Sequence, residues 1–318
     1  MIRPARDRVD EAAGLLGSLV ERDVPLGALT TYRVGGAAAL FARPSSFDEL
    51  QRIAEVTGRT GLPVIVIGRG SNMLVADGGL AGVAISLSAM AADIEIDDVV
   101  VSAGGAVPLP VLARRTVAAS LSGFEWAVGV PGTVGGGVRM NAGGHGSDMA
   151  AALVDVEIFD LRRVERATVA ADRLGLRFRA SNLADHQVVL SARVRLVSGS
   201  REAGEAELDE VVRWRREHQP GGQNAGSVFV NPVPGEVTAG ALIDRLGLRG
   251  MRIGTAHVSE KHANFIQADE GGLASDVRSV IEAVRSCVAE QTGYVLRSEV
   301  RLVGFADVAP DETPGVIW

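Results

Sequence analysis

The stretch Gly129-Val-Pro-Gly-Thr-Val-Gly-Gly-Gly-Val-Arg-Met-Asn-Ala-Gly-Gly-His-Gly146 decides how the chain reads. Eight of its eighteen residues are glycine. Glycine loses more backbone entropy on ordering than any other residue, so a cluster this dense needs a physical reason. Close approach of main-chain N–H groups to a ligand diphosphate is one, since side chains would stand in the way. The alternative is a tight surface loop, although Pro131, Met140 and Asn141 make the stretch unlike a flexible linker. No aliphatic run within it is long enough to form an ordinary core element.

A second glycine loop lies upstream. Pro63-Val-Ile-Val-Ile67 is a continuous apolar run expected to be a buried strand, and it ends in Gly68-Arg-Gly-Ser-Asn-Met-Leu74. Gly68 and Gly70 begin a dinucleotide fingerprint, but Met73 stands where the third glycine belongs. The following Val75–Gly82 is too glycine-rich for a helix, so the loop is expected to run from strand to strand. It can present N–H groups and the Ser71 hydroxyl to phosphate, or serve as a structural turn. No Gly-Lys-Ser/Thr follows, which argues against a P-loop nucleotidase.

The chain of 318 residues suggests two or three domains. Its 47% hydrophobic and 22% charged residues are ordinary for a globular protein. The single cysteine, Cys287, excludes a disulfide framework and any multi-cysteine metal site and fits a reducing compartment. The histidines show no metal-ligand spacing, so no metal is expected. The N-terminal run lacks an apolar signal segment, and no stretch approaches a membrane span. A net charge of −7 argues against nucleic acid as the main partner.

Apolar spacing predicts helices over 9–20, from Ser46 to about Thr57 behind a capping box with Glu49, from Pro110 to about Leu121, over Leu208–Glu217, over Ala239–Leu246 and over Ala274–Gln291. Cys287 falls on the apolar stripe of the last helix and is expected to pack there. Strands are expected over Ala39–Arg43, within 83–102, around Val154–Ile158, within Val188–Val197 and over Tyr294–Val303. The fold class is therefore α+β. The polar stretch Val197–Glu207 marks the expected domain boundary, and Phe305–Trp318 reads as a loose tail.

Taken together, Thr31-Tyr-Arg-Val-Gly-Gly36, Gly68-Arg-Gly-Ser-Asn72, Gly129–Gly136, Met140-Asn-Ala-Gly143, Asn224-Ala-Gly-Ser-Val-Phe229 and Ser259-Glu-Lys-His-Ala-Asn-Phe-Ile266 resemble the UDP-N-acetylenolpyruvoylglucosamine reductase family, in the same order and over nearly the whole chain. The resemblance implies a two-lobed FAD-binding domain of the vanillyl-alcohol-oxidase type over 1–199, with lobes of about 1–88 and 89–199. A substrate-binding α+β domain over 200–304 and a tail over 305–318 follow. It also implies non-covalent FAD, NADPH as reductant, a nucleotide-sugar substrate and a cytoplasmic location. No inserted tyrosine loop is evident between Arg179 and Ser227, which matches the family's shorter form.

The same resemblance implies the site residues. Arg179 would fork onto a substrate carboxylate and stabilise an enolate; Arg177 nearby leaves the register open. Ser227 would donate the proton, and Glu299 would be the acidic partner. Glu299 and Arg301 are expected on one face of the last strand, with Arg301 near the flavin. The expected FAD contacts are Tyr32, Arg33, Gly68, Arg69, Gly70, Ser71, Asn72, Met73, Gly129, Gly132, Thr133, Gly135, Gly136, Asn141, Ala142 and Gly143. Asn264 is expected to meet the nucleotide-sugar, while His262 packs. Phe178, Val230 and His145 depart from the family pattern, and His145 reads as a polar loop residue. Another FAD-dependent oxidase or dehydrogenase of the same cofactor fold, or a nucleotide-sugar binder that has lost catalysis, are the alternatives.

Overall fold

The structure is a computed structural model that describes residues 5–233 and 235–306; the expected tail lies almost wholly outside these. The first lobe contains α1 (Ala5–Leu16), β1 (Val20–Pro25), β2 (Ala37–Ala42), α2 (Phe47–Thr60), β3 (Val64–Val66), β4 (Met73–Val75) and β5 (Leu80–Ile85). Its sheet runs β1-β2-β5-β3, with β1 antiparallel to β2 and the other pairs parallel. The Ser46 hydroxyl accepts from the Glu49 N–H and starts α2. Glu49 folds back onto Ser45, its carboxylate taking the Ser45 N–H at 2.6 Å, a one-residue variant of the expected capping box. Leu50, Ile53 and Ala54 then pack with Val9, Ala12 and Leu16 over Leu40, Val83 and Ile85.

The first helix ends earlier than its apolar spacing predicts. Gly17 takes a φ of +56°, which stops α1 at Leu16, and the chain turns into β1. β1 was not legible because Glu21-Arg22-Asp23 is an exposed sheet edge without alternation.

The second lobe contains β6 (Ile94–Asp97), β7 (Val100–Gly104), α3 (Leu109–Ala118), β8 (Leu121–Ser122), α4 (Val134–Arg139), β9 (Gly143–Gly144), β10 (Ser147–Asp148), β11 (Leu153–Asp160), β12 (Glu165–Ala170), β13 (Gln187–Arg195), β14 (Val197–Ser198) and α5 (Arg201–His218). An antiparallel sheet runs β12-β11-β13-β7-β6. Along β13, Val188 and Leu190 join the first lobe's core, whereas Val189, Ala192 and Val194 face α3, α4 and α5. The change of face falls at a bulge at Leu190, where the pairing with Glu157 and Ile158 shifts register, so the two faces of β13 clamp the lobes back to back. α5 is longer than its apolar pattern suggests: Ser200 caps it, and its first turns are charged and exposed. Leu208 and Val211 place it in the second lobe's core.

The remaining elements are α6 (Ala239–Arg245), β15 (Arg252–Ile253), β16 (Ala256–Val258), β17 (Ile266–Ala268), α7 (Ala274–Thr292) and β18 (Arg301–Val303). α7 lays Val277, Val280, Ile281, Val284 and Val288 on the β15-β16-β17 sheet. Cys287 is only half-buried at the edge of that stripe, not in the core. β18 is much shorter than Tyr294–Val303. Ser298 bridges Phe229 and Val300 sits in a bend, so Glu299 precedes the strand and does not share a strand face with Arg301. β18 pairs in parallel with β4, carrying the end of the chain back to the first lobe.

Candidate active site

A cavity of about 1040 Å³ opens where the two lobes and the C-terminal elements meet. The Gly68–Asn72 loop crosses from β3 to β4 and forms one wall, as its composition predicts. β3 is half-buried instead of buried because Ile65 and Val66 also line the cavity. No main-chain N–H of Gly68, Arg69, Gly70, Ser71 or Asn72 donates to an acceptor among the described residues. The two glycine loops touch: a Cβ at Gly68 would lie 2.6 Å from Thr133 Oγ1. Gly70, at φ +57°, abuts the Leu29 carbonyl, which a Cβ would meet at 2.7 Å.

The central glycine stretch holds a helical turn, α4, that the sequence did not suggest. Thr133 caps it by accepting from the Gly136 N–H at 3.4 Å. Val134 and Gly135 donate to Val107 and Gly105 carbonyls at 2.9 and 2.8 Å, so those amides are not available to a ligand. Gly132, Thr133, Gly135, Gly136, Ala142 and Gly143 line the cavity, as do Arg69, Ser71 and Met73. Glycine at these positions keeps the wall bare.

Five of the expected binding residues lie outside the lining of the large cavity. Tyr32 is fully buried with its hydroxyl unpaired, and burial pushes its phenol well up. Arg33 is exposed in a turn at φ +54°, its N–H donating to Thr30. Gly129 faces α5, where a Cβ would come 3.0 Å from Arg215 Cδ. Asn141 is buried and ties the β9–β10 ribbon, donating to Asp148 and accepting from the Ala150 N–H at 2.9 Å. Asn264 accepts from the Phe229 N–H and donates to its carbonyl at 3.0 and 2.9 Å, fixing the strand-like run that carries Ser227. Asn72 lines the cavity, yet its amide donates to the Glu299 carbonyl at 2.8 Å, and its own carbonyl accepts from the Arg301 N–H.

Arg179, Ser227 and Glu299 line this cavity together. Arg179 occupies a tight turn in which Arg177 and Ala180 exchange main-chain hydrogen bonds; its φ is +55°. Such a conformation is sparsely populated for a residue with a side chain and persists only where its surroundings hold it. Its Nε lies 3.4 Å from Glu299 Oε2. Arg177 points elsewhere, to Gly175 and Asn182. Glu299 is mostly buried, and desolvation raises its carboxyl pKa; Arg179 and Arg297 offset part of that. The Glu299 N–H donates to the Val228 carbonyl at 2.7 Å, so Ser227 and Glu299 are held through adjoining backbone. Ser227 also borders a smaller cavity of about 390 Å³, whose lining includes Asn231, Arg249, Lys261, His262 and Asn264.

Several lining residues carried no local signal. Asp185 joins Arg139, at 2.5 Å, and Arg301 across the cavity wall. Trp214 and Arg215 come from α5 and Gln219 from the residue that follows it, and His145 meets Trp214 edge-on at 5.0 Å. His262 packs against Phe265 at 4.7 Å and is held below the usual histidine range, chiefly by burial. Among the described residues, no group of three metal-ligating side chains occurs, and no helix is long and apolar enough to cross a membrane.

Residues 38–162 match the profile of an FAD binding domain, and residues 218–303 match that of the UDP-N-acetylenolpyruvoylglucosamine reductase C-terminal domain. A UDP-N-acetylenolpyruvoylglucosamine reductase of Heliobacterium modesticaldum is 41% identical, over 88% of this chain and 89% of its own. The protein of that name from Gloeobacter violaceus is 40% identical over 88% and 95%. The crystal structure of UDP-N-acetylenolpyruvylglucosamine reductase from Thermus caldophilus superposes with a TM-score of 0.76 at 34% identity, covering 89% of this chain and 98% of that one.

Proposed function

The chain belongs to the UDP-N-acetylenolpyruvoylglucosamine reductase family, and from that premise we propose that Arg179, Ser227 and Glu299 carry its chemistry in the large cavity. It is an FAD-containing, NADPH-dependent oxidoreductase that reduces the enolpyruvyl ether of its nucleotide-sugar substrate in peptidoglycan precursor synthesis. The residues present fit FAD. The unpaired N–H groups of Gly68–Asn72 are donors for a diphosphate, and the bare glycine wall lets a large ring system lie against backbone. When bound, FAD supplies the hydride that NADPH delivers to the protein.

Reduction of an enolpyruvyl ether builds negative charge beside a carboxylate and requires a proton at the neighbouring carbon. Arg179, half-buried and constrained by its turn, suits the carboxylate fork and the developing charge. Ser227 is the proton donor in this reading. A hydroxyl is a weak acid toward water, but a carbanion is basic enough to take its proton. Glu299, whose burial favours the neutral form, orients Arg179 and can hold a proton beside the intermediate. The smaller cavity adjoining Ser227, with Lys261 and Arg249, suits the substrate's diphosphate. Asn264 has both amide groups engaged with Phe229, so its part there is to position Ser227. The observation that carries this reading is that Arg179, Ser227 and Glu299, distant in sequence, line one cavity.

The division into cofactor lobes of about 1–88 and 89–199 and a substrate domain over 200–304 belongs to the same proposal. The order of the two profile matches supports it, with α5 packed in the second lobe's core ahead of the C-terminal match at residues 218–303. Non-covalent FAD and a cytoplasmic location are part of this reading too. The test is anaerobic. NADPH should bleach the flavin band of the purified protein, and UDP-N-acetylglucosamine enolpyruvate should restore it one for one. Restoration by oxygen but not by the enolpyruvyl substrate would point to an oxidase. A preparation that takes up no flavin would point to a lapsed binder.

A further inference from the structure

Among the described residues, two carboxyl groups reach the lining of the large cavity, Glu299 and Asp185. Glu299 stands against Arg179. Asp185 lies in the run from the Arg179 turn to β13 and meets two arginines from different parts of the chain. Arg139 ends α4 in the central glycine stretch, and Arg301 opens β18, two residues after Glu299. Both guanidinium groups converge on one oxygen, Oδ1: Arg139 through Nη2 at 2.5 Å, and Arg301 through its own Nη2. All three side chains are half-buried, and neither arginine can shed its proton. The charge balance of this part of the wall therefore rests on a single carboxylate.

The surrounding backbone is braced without Asp185. Ser181 Oγ donates to the Arg139 carbonyl, and Arg139 Nη1 donates to the Ala184 carbonyl, each at 2.7 Å. The main chain of Arg301 is held by the Asn72 carbonyl and by the pairing of β18 with β4. What Asp185 alone supplies is a partner for the Arg301 guanidinium, which meets no other acceptor among the described residues. Without it that side chain could swing, and its charge would lack a counter-ion. Charges act over longer distances where little water intervenes. Hydride has to reach the carbon held by Arg179, Ser227 and Glu299, which brings its donor within the field of Arg301. Reduction adds negative charge to a flavin, so positive charge nearby makes it easier to reduce and a weaker hydride donor.

We propose that Asp185 is a positioning residue for the hydride step: it pins the Arg301 guanidinium to the cavity wall and offsets its charge, which keeps the bound flavin a strong hydride donor. The proposal rests on the flavin-reduction reading of this cavity and adds no step to it. Hydride still passes to the enolpyruvyl carbon, and the proton still comes from Ser227. Asp185 acts on that exchange through Arg301.

The potential of the bound flavin separates this role from that of a structural brace. Asp185→Asn keeps the shape and removes the charge; Asp185→Glu restores the charge. Titration of the holoenzyme against a redox dye should find the Asp185→Asn flavin easier to reduce by about tenfold in the two-electron equilibrium, an upward shift of about 30 mV. Asp185→Glu should recover most of that shift. Arg139→Gln keeps a donor for the Ala184 carbonyl but removes a positive charge, so it should move the potential the other way. It is also the second arm should Asp185→Asn fail to fold. In stopped flow without oxygen, NADPH should bleach Asp185→Asn at least as fast as wild type. Saturating enolpyruvyl substrate should restore the band more slowly, a loss in kcat with little change in KM. A potential that stays put in Asp185→Asn, or moves the same way in both variants, would overturn the assignment and leave the proposed reaction intact. A wild-type flavin that NADPH does not reduce would remove both.

Discussion

Glu299 concentrates the electrostatic tension of the site. Its carboxyl is desolvated, and Arg179 and Arg297 compensate only in part. A carboxyl whose folded pKa is raised binds its proton more tightly folded than unfolded. Its contribution is therefore most favourable below the unfolded carboxylate pKa and is lost as pH rises through the folded value. Glu299→Gln should accordingly stabilise the protein at neutral pH relative to wild type, with the difference shrinking toward pH 4, while turnover falls. Melting curves across that range check the sign; a variant less stable than wild type at neutral pH would contradict it. The sequence resemblance favoured Arg179, with Arg177 close enough to make the register less secure. The tight turn decides which guanidinium enters the cavity, and a turn that places a non-glycine residue at φ +55° has no composition signal. Asn72 shows the same limit, since an asparagine in a phosphate-like loop reads as a ligand contact until its amide is seen on the Glu299 carbonyl.

Elements with strong local chemistry were legible. The α2 start follows from Ser46 and Glu49, and β13 reads as a strand from its apolar residues, although the bulge at Leu190 that switches its faces does not. α4 was hidden because its residues are poor helix formers that tertiary contacts hold in place. β18 was overextended because the apolar Tyr294-Val-Leu296 before Arg297-Ser-Glu299 reads as its start, whereas only Ser298 makes a bridge ahead of Arg301. The N-terminus of α7 was read from apolar spacing at Ala274, where the structure begins it, but its cap was not, because the cap comes from far away. Leu273 provides no side-chain cap; Asp77 of the first lobe instead accepts from the Ala274 and Ser275 N–H groups at 2.7 and 3.0 Å. Asp77→Ala should cost about 1–2 kcal/mol. It should lower the urea midpoint without changing the slope of the transition. An unaltered midpoint would mean that water replaces the cap at no cost.

At the scale of the molecule, the large cavity is a junction between three packed bodies. Val188 and Leu190 join the lobes, β4–β18 pairing ties the chain's end to the first lobe, and α5 stands between the glycine stretch and the Ser227 loop. A ligand filling that junction stabilises the assembled state by mass action. FAD at a hundred times its Kd should add about 2.7 kcal/mol, and removing it should lower the Tm accordingly. Equal melting of the flavin-free and flavin-loaded protein would contradict a site shared among these parts. The ordered set of motifs made this architecture legible, but composition and spacing alone did not, because the cavity's walls come from segments whose meeting only the packed structure supplies.

The most direct measurement follows the two half-reactions of Ser227→Ala by stopped flow without oxygen. NADPH should bleach the variant's flavin at the wild-type rate, and the enolpyruvyl substrate should then bind but restore the band slower by at least about a hundredfold. Restoration at the wild-type rate would show that the proton comes from elsewhere, and the central assignment would be lost.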